Sequence, residues 1–217
     1  MLMASVLTVN VASAPVQLGR LRSGIDKRPS PGPVPVRAPG PARSGPGSGL
    51  AGDTIGNRRY HGGDDQAVYA YAREDLDRWE TDLGGALTNG VFGENLTTSG
   101  VHLTDCVIGE RWSVGDDGLV LEVTSPRTPC RTFTAWLDRP GWMKTFTAAN
   151  LPGAYFRVIE PGTVAAGAAV AVLDRPDHGV TVGTVFRALM SEPALLPSLL
   201  VADALPDKIK NKIRKRL

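Results

Sequence analysis

Cys130 is the residue whose neighbours most favour chemistry. It ends the run SPRTPC at residues 125–130, directly after a predicted strand. Arg127 and Arg131 flank it, and positive charge beside a thiol favours the thiolate, which attacks electrophiles and ligates soft metals. The two prolines of the run would stiffen the loop and fix the direction of the thiol. These features suggest a soft metal held on one sulfur, but from the residues alone the favoured interpretation is a small buried side chain at a strand end.

A glycine-rich run, RYHGGDDQ at residues 59–66, is the second candidate region. His61 is a candidate hydrogen-bond donor, acid or base, and Gly62 and Gly63 would let the backbone approach a ligand closely. Apolar residues spaced for one helical face predict a helix over residues 64–83, begun by an aspartate and ended by two glycines. The N-terminus of that helix would follow the glycine pair and favour a bound anion.

Asn95, in the run GENL at residues 93–96, is polar between apolar neighbours. It is a candidate partner for the hydrogen-bonding edge of a ligand, and the alternative is a capped turn. A cysteine hydrolase would combine Cys130 with His61 and Asn95, but no nucleophile-elbow or protease signature surrounds Cys130. Cys106 has no basic neighbours, and we expect it to be structural.

Composition excludes several classes of protein. The chain has 217 residues, of which 42% are hydrophobic and 21% charged, with a net charge of +2. This balance gives no general case for binding nucleic acid or a membrane. Two cysteines are too few for a disulfide framework or a structural zinc site, so we expect reduced thiols and a cytoplasmic protein. The apolar start lacks a basic leader and predicts a strand over residues 6–11 rather than a signal peptide.

The rest of the chain reads as short strands followed by short helices. Residues 29–49 are rich in proline and glycine and predict an extended segment with a short edge strand at 34–36. Turn signals separate further strands, and a second helical stretch with Trp136, Trp142 and Phe146 as core candidates lies within 132–150. The predicted strands span 111–114, 119–124, 154–159 and 168–173.

The character of the sequence changes again near residues 174–178. Three short helices are predicted at 181–191, 193–202 and 206–217, which divides the chain into a domain at 1–175 and another at 176–217. The last helix is strongly basic. A nucleic-acid tail is one interpretation, but a solvated helix end is favoured because cations suit a helix C-terminus.

The order and spacing of these motifs resemble the MOSC domain family and, within it, the YiiM-type branch. The similarity spans nearly the whole chain, and its tail resembles the small three-helix domain that follows the MOSC domain in that branch. One departure is Ser125, where many relatives carry glutamine. The segments that carry the resemblance are 24–29, 52–53, 58–63, 65–71, 93–98, 108–112, 124–130 and 177–182.

The resemblance implies an α+β fold, mainly β, in which a mixed β-barrel precedes the three-helix domain. It implies molybdenum cofactor binding, with Cys130 as the protein ligand of the metal and His61 and Asn95 lining the pocket as catalytic residues. A molybdopterin also carries a phosphate, which positive side chains and the predicted helix start would bind. The expected cofactor-binding residues are Lys27, Arg58, Arg59, His61, Gly62, Gly63, Asn95 and Arg127.

The activity implied is reduction of N-hydroxylated compounds such as hydroxylaminopurine-type bases. No cysteine set for an iron–sulfur cluster exists in the sequence, so a separate reductase would supply the electrons. The expected partners are therefore a small-molecule substrate and that reductase, without nucleic acid or membrane and with a homodimer as the assembly. A sulfur carrier or cofactor-handling protein without turnover is the alternative, and a binding protein that docks a partner through its basic tail is a third. The resemblance also implies pyridoxal phosphate binding as a property expected at the level of the family.

Overall fold

The computed structural model describes residues 3–58 and 61–216. In that part of the chain, six strands precede the first helix, later strands and helices follow in groups, and short 3-10 turns lie between several of them. The strands are β1 (Ser5–Val11), β2 (Val16–Leu18), β3 (Leu21–Ser23), β4 (Arg28–Pro29), β5 (Val34–Val36), β6 (Val68–Ala72), β7 (Leu96–Ser99), β8 (Arg111–Val114), β9 (Leu119–Pro126), β10 (Ala154–Glu160), β11 (Gly162–Val164) and β12 (Val170–Asp174). The helices are α1 (Arg73–Leu83), α2 (Arg131–Leu137), α3 (Trp142–Ala149), α4 (Val182–Met190) and α5 (Asp207–Arg214).

One large, mostly antiparallel sheet organises the fold. Its strand order is β12-β8-β9-β10-β6-β7-β1-β4, and β6 and β7 form its one parallel pair within the described residues. Two small sheets, β11-β5 and β2-β3, complete the described strand pairing. The architecture is therefore mixed α+β, as the sequence predicts.

Closure of the large sheet into a barrel is not confirmed. The start of β1 does meet the residues just before β12: the Val6 amide donates to the Ala168 carbonyl at 2.8 Å, and Ser5 forms a bridge with Ala169. This contact is an isolated bridge, and the continuous ladder ends at β12 and β4.

Several strands lie where the sequence predicts them. The edge strand at 34–36 and the strand at 111–114 match their predicted bounds, and the first strand covers 5–11. The predicted strand at 119–124 extends to 126, which brings the strand to the edge of the cysteine loop. The last predicted strand begins two residues later, at 170.

The helix predicted over 64–83 is wrong in its first half. Residues 64–66 form a single 3-10 turn, and residues 68–72 form β6, in which every residue is buried. A strand buried on both faces does not alternate apolar and polar residues. Its apolar residues therefore fit the helical spacing of the segment that follows, and the two were predicted as one helix. Only residues 73–83 are helical, and Gly84 ends that helix in the left-handed region with φ 75°.

The remaining helical predictions hold in part. The stretch at 132–150 is two helices, because Asp138 and Gly141 between them adopt positive φ. Trp142 and Phe146 are buried as predicted, whereas Trp136 is half-buried. The segment at 193–202 is two 3-10 turns, at 193–195 and 197–201, and the last helix covers 207–214.

Two hydrophobic clusters lie inside the described part of the molecule. The larger one combines sheet residues such as Leu121 and Phe156 with C-terminal residues such as Val185 and Ile213. Side chains from both sides of the predicted boundary near 174–178 therefore share this core, and the division into two domains stays a prediction. No helix in the described residues is long and apolar enough to cross a membrane.

The second cluster is aromatic and lies beneath the cysteine loop. Its buried rings pack mostly edge to face, an arrangement that aromatic quadrupoles favour. It contains Tyr69, Tyr71, Trp79, Phe92, Phe133, Trp142, Phe146 and Phe186.

Candidate functional site

A cleft of about 980 Å³ opens beside Cys130. Its walls come from the β2–β3 hairpin, residues 54–58 and 61–62, the end of β9 with the loop that follows, and the C-terminal helix α5. Among the described residues that line it there is no aspartate or glutamate. The lining cations are Arg20, Arg22, Lys27, Arg58, Arg127, Arg131, Lys208 and Lys212.

Cys130 lies on the wall of this cleft as a free, half-buried thiol. Its backbone is extended, and its carbonyl accepts from the Thr134 amide at 3.1 Å, which begins α2. Within residues 3–58 and 61–216, no group of three or more His, Cys, Asp or Glu side chains is arranged to hold a metal ion. Cys130 is the one cysteine among the described lining residues, so a metal at this wall that takes a protein sulfur would take it from Cys130.

Arg127 is buried directly beneath the cysteine loop. Its Nη1 donates to the Phe92 carbonyl at 2.5 Å, and its guanidinium carbon lies 3.7 Å from the centroid of the Phe133 ring and 5.3 Å from that of Tyr69. A charge held by a carbonyl and two aromatic faces has little freedom to move. The guanidinium therefore presents a fixed positive charge to the cleft and interacts electrostatically with Cys130.

Two tyrosines close the floor of the site. The Tyr69 and Tyr155 rings lie 4.9 Å apart, and both residues line the cleft. Burial raises the pKa of Tyr155, although the charge of Arg127 opposes this effect. Tyr155 therefore keeps its hydroxyl proton near neutral pH and can act as a hydrogen-bond donor to a ligand.

His61 lines the same cleft, close to Arg127 and to Lys208 of α5. Burial, together with the positive charges of Arg127 and Lys208, lowers the pKa of His61 to about 4. The imidazole is therefore neutral at pH 7 and has one nitrogen that donates and one that accepts.

The two glycines after His61 are required by the backbone path. Gly62 and Gly63 have φ of 82° and 87°, in the left-handed region. A Cβ on Gly62 would lie 2.5 Å from the Gly47 carbonyl oxygen, so the turn packs against the proline-rich segment. Gly62 lines the cleft and Gly63 does not. The predicted helix start for an anion is absent here, because the 3-10 turn at 64–66 leads directly into β6.

Lys27 and Asn95 belong to a buried network centred on Asp53. The Lys27 Nζ lies 2.5 Å from Asp53 Oδ1, and the Asn95 Nδ2 donates to Asp53 Oδ2 at 3.0 Å. The Asn95 Oδ1 accepts from the Tyr69 amide at 3.1 Å, which ties the network to β6. Burial lowers the pKa of Lys27, and Asp53 opposes that effect. The side-chain amide of Asn95 therefore links two loops and a strand beside the cleft.

Arg58 lines the cleft but is tethered to the proline-rich segment. Its guanidinium donates to the carbonyls of Gly45 at 2.9 Å and Pro46 at 3.3 Å. Arg59, the neighbouring predicted contact, lies outside the described residues. Cys106 is buried away from this wall, with its thiol 3.6 Å from the His102 carbonyl, and is structural as predicted.

Several residues of the site were missed by the sequence interpretation. Asp53 lies in a segment that carries the family resemblance, but no role was predicted for it. Its ion pair with Lys27 joins two loops that no sequence periodicity relates. Tyr69 and Tyr155 lie on strands, where an aromatic residue is usually core. The positive charge of the C-terminal helix is evident in the sequence. The sequence did not indicate that two lysines of this helix line the cleft.

The comparisons with known proteins agree on one family. The model of the MOSC domain matches residues 57–171. The chain is 31% identical to the uncharacterized protein YflK of Bacillus subtilis over 163 residues, which cover 75% of this chain and 69% of that protein. It is 29% identical to a protein of Gibberella moniliformis named "Reductase", over 87% of this chain but only 32% of that longer protein. The crystal structure of YiiM from Geobacillus stearothermophilus superposes with a TM-score of 0.79 at 25% identity, covering 99% of each chain.

Proposed function

Because this chain belongs to the MOSC domain family, as a YiiM-type member, we propose that it is a molybdenum cofactor-dependent oxidoreductase that reduces N-hydroxylated compounds. The observation that carries the proposal is the half-buried free thiol of Cys130 on the wall of a large cleft that its described residues line with eight cations and no carboxylate. MOSC domains are associated with the molybdenum cofactor in general, and the name of the Gibberella relative is consistent with reductive chemistry.

The residues of the cleft fit such a cofactor. A thiolate is a suitable ligand for a soft metal, and Cys130 is the one cysteine that the described cleft contains. The phosphate of a molybdopterin needs cations, and Arg127 offers one in a fixed position while Arg58 lies on the same cleft. The absence of carboxylates among the described lining residues removes the repulsion that an anionic group would otherwise meet.

When bound, the cofactor would supply the two-electron chemistry. The overall reaction breaks the N–O bond of the substrate, forms an N–H bond and releases water, consuming two electrons and two protons. A separate electron-donor protein would provide the electrons. The two protons come from solvent through donors in the cleft.

Each residue then has a specific task. Cys130 would hold the metal, and Arg127 would neutralise the anion next to it. Tyr155, which retains its proton, would donate a hydrogen bond to the substrate hydroxyl. Neutral His61 would accept a proton on its unprotonated ring nitrogen or donate a hydrogen bond from the other nitrogen. Asn95 would act as a positioning residue, because its amide holds Asp53 and the backbone of Tyr69.

A sulfur carrier or cofactor-handling protein is the second candidate. The same accessible thiol favours it, because no described side chain hydrogen-bonds to the Cys130 sulfur and a persulfide would have space in the cleft. This candidate predicts a sulfur adduct without turnover.

The test compares three proteins expressed in a host that makes molybdenum cofactor: the wild type, Cys130→Ala and Cys106→Ala. Reduction of 6-hydroxylaminopurine is measured with a chemical electron donor, and intact mass is recorded. We expect activity in the wild type and in Cys106→Ala, and loss of at least about 100-fold in Cys130→Ala, the scale of removing a group that acts in the transition state. A wild type that is inactive with molybdenum bound and carries a sulfur adduct on Cys130 would favour the carrier instead.

A further inference from the structure

The cations of the cleft fall into two sets. Three of the eight are already engaged: Lys27 by Asp53, Arg58 by two carbonyls and Arg127 by Phe92 and Phe133. The other five are exposed, and none of their side chains forms an ion pair or hydrogen bond with a described residue. One of the five, Arg131, directly follows Cys130, and the remaining four form the outer set. They are Arg20 and Arg22 on the β2–β3 hairpin and Lys208 and Lys212 on α5.

The outer set has the arrangement of an anion subsite. Lys208 and Lys212 are four residues apart on a helix and therefore share one face. The two arginines lie on a different wall of the same cleft. The lining also includes apolar side chains, among them Ile209 of the same helix. An anion attached to a flat apolar group would fit both features.

These four cations lie outside the matched domain. The MOSC model covers residues 57–171, whereas the hairpin and α5 precede and follow it. Of the cations that line the cleft, Arg58, Arg127 and Arg131 lie inside the matched residues, and Arg127 is fixed beside Cys130. The proposed function assigns the phosphate of the cofactor to Arg127 and Arg58, so the outer set is available to a second anion.

We propose that Arg20, Arg22, Lys208 and Lys212 bind the phosphate of the substrate, so that the enzyme acts on N-hydroxylated nucleoside monophosphates in preference to the free bases. This inference rests on the proposed function for the reaction, but the binding of a nucleotide by the outer cations can be measured without turnover. A dinucleotide form of the cofactor would present the same phosphate chemistry, and an acidic electron-donor protein would present a similar charge.

The experiment uses the cofactor-loaded protein, the double variant Lys208→Gln/Lys212→Gln and the control Arg214→Gln/Lys215→Gln. The control removes the same charge from the same end of the chain at positions that do not line the cleft. Binding of adenosine monophosphate, which carries no N-hydroxyl group, is measured by calorimetry. Catalytic efficiency is measured on 6-hydroxylaminopurine as its riboside and as its 5′-monophosphate, and the extracted cofactor is identified by mass.

We expect the wild type and the control to bind adenosine monophosphate about tenfold more tightly than the double variant, which corresponds to about 1.4 kcal/mol. The monophosphate should be preferred to the riboside by at least about tenfold, and the double variant should lose most of that preference. Arg20→Gln/Arg22→Gln on the β2–β3 hairpin should weaken nucleotide binding in the same direction.

Equal adenosine monophosphate binding by the wild type and both α5 variants would overturn the proposal. A dinucleotide cofactor that is lost from the double variant would overturn it too, as would an effect confined to the KM for the electron donor. Nucleotide binding that depends on Lys208 and Lys212 in a protein that reduces neither substrate would support the subsite while contradicting the proposed reductase.

Discussion

The guanidinium carbon of Arg127 lies 3.7 Å from the centroid of the Phe133 ring. Arg127 precedes Cys130 by three residues in the chain, and Phe133 follows it by three. Phe133 belongs to α2, which begins directly after the cysteine. The loop that carries the thiol is therefore held from both ends: Arg127 anchors one side on the aromatic cluster, and α2 anchors the other. A rigid loop is what a single metal ligand requires, because one contact has no others to correct its position.

Replacing Arg127 by lysine should lower stability although the charge is kept. Lysine cannot place a planar group over the Phe133 ring while donating to the Phe92 carbonyl, so a buried cation–π contact and a hydrogen bond are lost. We expect the free energy of unfolding to fall by about 1–3 kcal/mol, measured by urea denaturation. Arg131→Lys, at an exposed position on the same cleft, is the control and should change stability little. Equal unfolding curves for all three proteins would contradict the anchoring role of Arg127.

The buried pair of Lys27 and Asp53 should show strong coupling. Asp53→Asn leaves the lysine ammonium buried without its counter-charge, and such a change costs roughly 3–5 kcal/mol. Lys27→Met together with Asp53→Asn removes the unpaired charge, so the double variant should be more stable than Asp53→Asn alone. Unfolding free energies of the four proteins in the cycle measure this coupling. Additive effects would mean that the two side chains do not interact.

His61 should make the protein sensitive to acid between pH 6.5 and 4. Its pKa is lowered to about 4 in the folded state, so as pH falls below 6.5 the unfolded chain binds a proton that the folded chain does not. Stability should therefore fall with pH in this window, by about 3 kcal/mol. Burial raises the pKa of Asp75 to about 6, which has the opposite effect on stability, so the wild type is compared with His61→Gln at each pH. The stability advantage of the wild type over this variant should shrink towards pH 4; parallel curves would contradict the burial of a neutral imidazole.

Gly62 should tolerate a side chain less well than another glycine with a similar backbone. Gly62 has φ 82°, and a Cβ there meets the Gly47 carbonyl, whereas Gly52 has φ 78° and open space around it. Gly52→Ala should cost about 1 kcal/mol for the backbone conformation alone, and Gly62→Ala should cost at least twice as much. Thermal unfolding of the two variants compares them directly. Equal losses would mean that the contact between the two loops adds nothing.

The sequence predicted best the strands whose ends are marked by prolines or turn residues. The strands at 34–36 and 111–114 have the predicted first and last residues, because prolines or turn residues lie at their ends. The strand at 68–72 was not predicted, because it is buried on both faces and its apolar residues run into those of α1 without a break. The error moved the expected anion site to a helix start that does not exist.

Residue type and motif predicted several side chains that the structure brings to one cleft. Cys130, His61, Gly62, Asn95, Lys27, Arg58 and Arg127 all line one cleft. Contacts between distant segments were not predictable, since no periodicity relates Lys27 to Asp53 or His61 to Lys208. Those contacts change the roles: Asn95 holds loops together, and the basic helix lines the cleft in place of a fully solvated end.

The molybdenum content of the purified protein tests the central claim most directly. Wild type, Cys130→Ala and Cys106→Ala are expressed together in a host that makes the cofactor, and metal per protein is measured by mass spectrometry. We expect close to one molybdenum per protein in the wild type and in Cys106→Ala, and a loss of at least about tenfold in Cys130→Ala, because one of the metal's bonds is removed. Equal molybdenum in the wild type and Cys130→Ala would contradict the assignment of Cys130 as the metal's ligand.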